Sequence, residues 1–168
     1  MLSAASNEDA MNEKRVAYPA RDLRVICINA SDGRGHILPS NPPAEEEGNN
    51  FSIIGHSFLS TWPKQTKADG TFKGEELGLP GVWKYGSGSS IATLVATSIA
   101  GLIIQFGFTE SITHSRRLQS YDGITQIFRK MSGERTADGF LDIRPWEVLK
   151  AGDREGTKFI FNMCLDNI

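Results

Sequence analysis

The sequence predicts an α/β fold, and three observations carry that prediction. Short β-branched runs at residues 23–30 and 51–55 are closed by Gly-containing turns, the pattern of buried strands. Residues 85–109 contain no charge and place apolar side chains on nearly every face, as a helix buried all round does. Residues 121–132 interleave Ile124, Ile127, Phe128 and Met131 with Arg129 and Lys130, an amphipathic helical repeat. A length of 168 residues with 39% apolar content supplies the core of one ordinary domain and too little for two large ones.

Met1-Leu2-Ser3-Ala4-Ala5-Ser6-Asn7 has no basic start and no long apolar stretch, so it is not a secretory signal, and an intracellular location is favoured. It has the character of a buried strand running into a loop, which implies further sequence upstream. Residues 8–20 are polar and end in Tyr18-Pro19-Ala20. The strand at 23–30 is followed by Asp32-Gly33 and by a surface loop over 32–50, rich in Pro and Gly, whose Glu45-Glu46-Glu47 run is a solvated patch. Residues 51–55 and 58–62 are two short strands, and 63–84 is a second polar loop. The charge-free helix follows. A membrane span over 85–109 is the alternative, disfavoured because Thr93, Thr97, Ser98 and Gln105 interrupt a barely sufficient length and no Lys/Arg cluster flanks it. Residues 143–149 predict a short helix with Pro145 near its start. Residues 159–165 are apolar enough for either strand or helix.

Composition excludes several function classes. Eighteen Lys and Arg against twenty Asp and Glu leave a net charge of −2, which gives neither a nucleic-acid footprint nor a polybasic membrane signal. Cys27 and Cys164 stand far apart without CxxC or Cys/His spacing, so neither a disulfide framework nor a structural zinc site is expected. His36, His56 and His114 are scattered, which disfavours a His-based metal site. No cofactor is expected. The sequons at Asn29 and Asn50 are coincidental in a chain with no export signal.

The segment that carries chemistry is Ser87-Gly88-Ser89-Ser90-Ile91-Ala92-Thr93. It puts a hydroxyl at the start of a buried helix, where free N–H groups and the positive end of the dipole are concentrated. A serine there can attack a carbonyl while its own N–H helps hold the resulting oxyanion. Ser89 or Ser90 acting as a plain N-cap is the competing reading.

Four segments, in order, resemble the subtilisin-like serine peptidases. Ser87-Gly88-Ser89-Ser90-Ile91-Ala92-Thr93-Leu94 is similar to the nucleophile motif S-G-T-S-M-A-[ST]-P with its small-residue helix. Ser3-Ala4-Ala5-Ser6-Asn7 is similar to A-A-G-N, whose Asn donates to the oxyanion. Tyr18-Pro19-Ala20 with Val25-Ile26-Cys27-Ile28-Asn29-Ala30 resembles Y-P-A and V-I-x-V-x-A. Gly55-His56-Ser57-Phe58-Leu59-Ser60-Thr61-Trp62-Pro63 resembles G-x-x-I-x-S-T-x-P. Residues from about 108 onward resemble, more loosely, the helical extension of fungal intracellular-type members.

The resemblance implies the C-terminal portion of a parallel-sheet fold over residues 1–107, with a helical extension over 108–168. It implies a serine endopeptidase with Ser90 as nucleophile and Asn7 as oxyanion donor, acting on a peptide or protein substrate. Structural calcium occurs in the family, but no DxDxDG-type loop is present. Ser89 stands for the family Thr, Ile91 for Met and Leu94 for Pro, the last removing a fixed φ from the early helix. The family triad runs Asp, His, Ser along the chain, and the Asp and His motifs have no counterpart here. None of the three histidines lies in a matching base motif; His56 falls in a segment that supplies no base. The expectation is therefore an inactive, marginally stable or aggregating chain when alone. A non-catalytic remnant, or a module that binds partners through its tail, is the alternative.

Overall fold

A computed structural model describes residues 1–6, 16–46, 48–62, 82–166 and 168. Six strands and three α-helices follow one another as β1 (Leu2–Ala4), β2 (Ile26–Ser31), β3 (Phe51–Ile54), β4 (Phe58–Trp62), β5 (Val82–Gly86), α1 (Ser89–Thr109), α2 (Tyr121–Ser132), β6 (Leu141–Asp142) and α3 (Arg154–Asp166), with 3₁₀ turns at Ser115–Gln119 and Pro145–Glu147. Four of the strands form a parallel sheet in the order β1-β2-β3-β6. β4 and β5 form a separate antiparallel pair.

Successive side chains on a strand point to opposite faces, and register divides this sheet cleanly. Ile28 lies beside Phe51, Ala30 beside Ile53, and Phe51 beside Leu141, so one face is continuously apolar. Ala92, Ala96, Ala100 and Ile103 of α1 are buried, and the helix packs along β1, β2 and β3. Small residues at three- and four-residue spacing let its backbone lie close to the strands. Phe128 of α2 meets Phe51 edge-on, with ring centroids 5.7 Å apart. The other face carries Cys27, Asn29, Ser31, Ser52 and Asp142, all but the half-buried Cys27 removed from solvent. Parallel strands covered on both faces are ordinarily near-continuous apolar runs. This sheet instead has a buried polar row.

The predicted strands at 23–30, 51–55 and 58–62 and the helix at 121–132 match β2, β3, β4 and α2, while the helix expected over 85–109 starts only at Ser89 and is buried on one face rather than all round, with Leu94, Leu102 and Phe108 exposed. One further expectation is corrected, one open choice is resolved and one strand is new. Residues 82–84 belong to β5 rather than to a loop, because Val82–Gly86 pairs across from Phe58–Trp62; residues 63–81 of the same predicted loop lie outside the described residues. The choice left open for 159–165 is resolved as helix within α3, whose buried Thr157, Phe161 and Leu165 recur at four-residue spacing. β6 was not expected, since two residues are too few to show periodicity.

The surface loop over 32–50 is also more embedded than its polarity suggests: Asn41, Pro42 and Asn50 are buried, while Glu45 and Glu46 are exposed. Asn41 stands in for a neighbouring strand. Its Oδ1 accepts from the Ala30 N–H at 2.9 Å, and its Nδ2 donates to the Ala30 carbonyl at 2.7 Å and the Leu38 carbonyl at 2.9 Å. A primary amide presents an acceptor oxygen and two N–H donors, so its oxygen and one N–H satisfy the end of a strand as another peptide group does. Both sequon asparagines are buried and hydrogen-bonded, Asn29 to the Phe51 carbonyl and Asn50 to the Glu45 carbonyl.

The polar row has a pH consequence. Asp142 is buried, and desolvation raises its carboxyl above the ordinary value, against the opposing hydrogen bonds of Ser31 and Ser52. A raised carboxylate means that the folded state holds its proton more tightly than the unfolded state. Stability from this group is therefore full below the unfolded value of 3.8 and declines as pH rises through the folded value. Asp142→Asn removes the charge and keeps an acceptor for Ser52. Urea midpoints at acid and neutral pH should show a smaller drop toward neutrality for this variant than for the parent. An unchanged drop would show that Asp142 is ionised at no cost.

Candidate active site

The start of α1 is clamped from two sides. Gly88 precedes the helix with φ of 138°, a conformation open to glycine but not to residues with a side chain. Its N–H donates to the Gly55 carbonyl at 2.8 Å, which fixes the loop to the end of β3. Gly55 is itself under constraint. A Cβ there would stand 2.8 Å from the Gly88 carbonyl oxygen and 2.9 Å from both Ala30 and Ala92. From the other side, the Ser89 hydroxyl donates to the Ser6 carbonyl at 2.8 Å, joining the helix to the segment that leaves β1. The Gly88 carbonyl accepts from the N–H groups of Ile91 and Ala92 at 3.1 Å.

This geometry overturns the N-cap reading of the serines. The residue in the cap position is Gly88, which makes no side-chain capping bond, and Ser89 lies inside the first turn with its hydroxyl directed to Ser6. Ser90, next along the helix, is exposed. Asn7 lies outside the described residues; its covalent neighbour Ser6 is the residue held by Ser89.

Sequence reasoning missed a cluster on the same loop. The Ser87 Oγ accepts from the Ser57 N–H at 2.9 Å and lies 3.2 Å from His56 Nδ1. Ser57 adopts φ of 55°, which turns its N–H toward Ser87. Position directly after Gly55 was the available signal, because Gly55 is the residue that meets the nucleophile loop. The other two histidines lie elsewhere. His36 Nδ1 sits 2.9 Å from Asp32 Oδ2 in an exposed turn, and His114 is 4.0 Å from Asp166. That His36 bond, with backbone donors from Arg34 and His36, holds Asp32 down to about 2.

The remaining nucleophile candidates have no activation. Burial pushes the Cys27 thiol up to about 12, so at neutral pH it is not a thiolate. Cys164 is raised for the same reason. Among the described residues no group of three or more His, Cys, Asp or Glu is placed to hold a metal.

No family model matches the chain. The subtilisin-like protease het-Q2 of Podospora anserina is 28% identical over 168 residues, an alignment covering 93% of this chain and 42% of that protein. The chain is a relative of the subtilisin-like proteases. A point mutant of the protease domain of PatA superposes with a TM-score of 0.60 at 18% identity, covering 98% of this chain and 48% of that one. The prenylagaramide maturation protease PagA gives a TM-score of 0.60 at 13% identity, covering 87% and 48%. This subtilisin-like chain thus spans less than half the length of the relatives it matches. Its parallel sheet and helices match the fold of the C-terminal portion of a subtilisin-like protease domain.

Proposed function

We propose that the chain carries the nucleophile-bearing part of a serine endopeptidase site, with Ser90 as nucleophile and Asn7 as oxyanion donor, and that alone it does not hydrolyse peptides at a useful rate. The observation that carries this reading is the 2.8 Å bond from Ser89 to the Ser6 carbonyl. It brings the segment leaving β1 against the first turn of α1. The residue after Ser6 and the residue after Ser89 are the two that the family motif assigns to the oxyanion and the attack. The first-turn position adds the helix dipole to the stabilisation of a developing negative charge.

Attack also needs somewhere for the serine proton to go. A serine hydroxyl without a positioned base is a weak nucleophile at neutral pH. The 168 residues contain neither a D-[ST]-G nor an H-G-[TH] sequence. The His56 imidazole, which does reach the loop, is placed on Ser87. Removal of triad members costs on the order of 10⁴–10⁶ in kcat in the worked case of this family.

A fluorophosphonate probe tests both parts. The chain should label no faster than unactivated serine, and adduct forced by high probe concentration should map by mass spectrometry to Ser90. Rapid labelling of Ser90 would contradict the inactivity, and forced adduct on other serines alone would contradict its assignment as nucleophile.

A further inference from the structure

Beside α1, outside the carboxyl ends of β3 and β6, lies a cavity of about 210 Å³. Its walls include Ile53, Ile54, Val95, Ile99, Ile143 and Trp146, and among the described residues the one ionisable group lining it is Asp142. In open α/β sheets the crevice beyond the strand carboxyl ends is the usual ligand position. The volume suits a small molecule, since an apolar cavity of about 150 Å³ holds benzene.

Asp142 is the unusual wall. It is only 6% exposed, and its Oδ1 accepts from the Ser52 hydroxyl at 3.1 Å. No cation lies within 4.0 Å of it among the ion pairs of the described residues. The Ser31 hydroxyl also bonds the carboxyl, and the Arg144 charge acts on it from a distance, but the Arg144 guanidinium itself donates to the Ser132 carbonyl at 2.8 Å and lies 3.9 Å from Glu147. Buried carboxylates are ordinarily paired with a cation or held neutral.

We propose that this cavity binds an aliphatic ammonium group, with Asp142 as its counter-ion and the alkyl stem packed against Val95, Ile99 and Trp146. The cavity walls match the stem, and the acid supplies the charge that an apolar cavity otherwise lacks. The desolvation that raises the Asp142 carboxyl is offset by the attraction of a cation seated against it, which favours the charged form. The site stands apart from the role assigned to Ser90, whose failure would leave it intact.

The source of the ammonium is either a free alkylamine or the lysine side chain of a peptide, and calorimetric titration of the full chain separates them. n-Pentylammonium should bind at least about tenfold more tightly than n-pentanol, and pentanoate should not bind, because only the first can pair with the acid. Asp142→Asn should bring the ammonium and the alcohol to equal affinity. N-acetyl-lysine methylamide, if it binds as well, assigns a peptide source; if it does not, a free amine is assigned, and either result keeps the site. Absence of pentylammonium binding, equal binding of amine and alcohol by the parent chain, or an undiminished preference for the amine in Asp142→Asn overturns the proposal. The comparison of three ligands on the parent protein needs no variant to fold.

Discussion

Gly55→Val is expected to lower the urea midpoint of the fold more than any other single change at the start of α1. A Cβ at this position meets the Gly88 carbonyl oxygen at 2.8 Å and the methyls of Ala30 and Ala92 at 2.9 Å. None of these neighbours is the tip of a flexible chain. The carbonyl is fixed because it accepts two N–H groups from the first turn of α1, and the alanines are the smallest side chains that still line the helix–sheet contact. Relief therefore requires α1 to move off β2 and β3. Overpacking in a well-filled core costs about 1–3 kcal/mol. Here the branched side chain also breaks the Gly88 N–H bond to the Gly55 carbonyl, whose partner groups are buried and cost about 1–3 kcal/mol more if left unmet. Against a total stability of about 5–15 kcal/mol for an ordinary domain, that is a large share of the reserve. Gly101→Ala is the control. A Cβ there meets nothing within 4 Å, so the same helix should gain about 0.5–1 kcal/mol. Far-ultraviolet circular dichroism during urea titration reads both. A wild-type midpoint for Gly55→Val would show that the seat of α1 is not where the fold is decided.

The same contact explains why a glycine directly precedes His56 and why the proposed nucleophile loop begins where it does. β3 ends against the loop that starts α1, and β1 ends against the helix through Ser6 and Ser89. Two strands that are not adjacent in sequence thus set the position of one helical turn. That arrangement uses backbone carbonyls, which any sequence has, so it leaves no trace in residue chemistry beyond the two glycines and one serine.

Other parts of the fold were legible for plain physical reasons. β2 and β3 are β-branched and closed by Gly, and α2 buries Ile124, Ile127, Phe128 and Met131 on one stripe. α1 was legible as a helix because it lacks charge, though it is less enclosed than its composition suggests. Ala92, Ala96, Ala100 and Ile103 face the sheet, while Leu94, Leu102 and Phe108 are exposed. By length and composition it would also pass for a membrane span. What could not be read were features made by partners distant in sequence. β6 exists because Leu141 and Asp142 lie beside Phe51 and Ser52. Ser52 and Asp142 are ordinary surface residue types until that register buries both. Ser87 and His56 are 31 positions apart, and the antiparallel pairing of β4 with β5 and the Gly88–Gly55 bond bring them together. The motif resemblance pointed to Ser90 and Asn7 and spanned both Ser87 and His56, but gave no sign that these two meet.

Phe128→Ala is expected to destabilise the sheet together with the segment that follows α1. Phe128 is fully buried, and its ring stands at 75° to Phe51, 5.7 Å between centroids, in the edge-to-face arrangement favoured by the aromatic quadrupole. Truncating a buried Phe costs about 3–5 kcal/mol in transfer and cavity terms. The hole cannot be filled cheaply, because Phe51 lies between β2 and β6 in the sheet and α2 is anchored at its start by Ser120, whose hydroxyl accepts from the Gly123 N–H. The site also couples two regions. Phe51 belongs to the strand that ends at Gly55, and Phe128 to a helix beyond residue 108, packed in turn on α3. Loss of this pair should therefore lower a single transition rather than release the later helices alone. Urea denaturation followed by circular dichroism and by tryptophan fluorescence should give coincident curves, displaced downward by the same amount. Lys130→Ala, on the exposed side of the same helix, should stay within about 0.5 kcal/mol of the parent. Two separated transitions in Phe128→Ala, with the sheet melting at its original midpoint, would mean that the helices after α1 only lean on a core that stands without them.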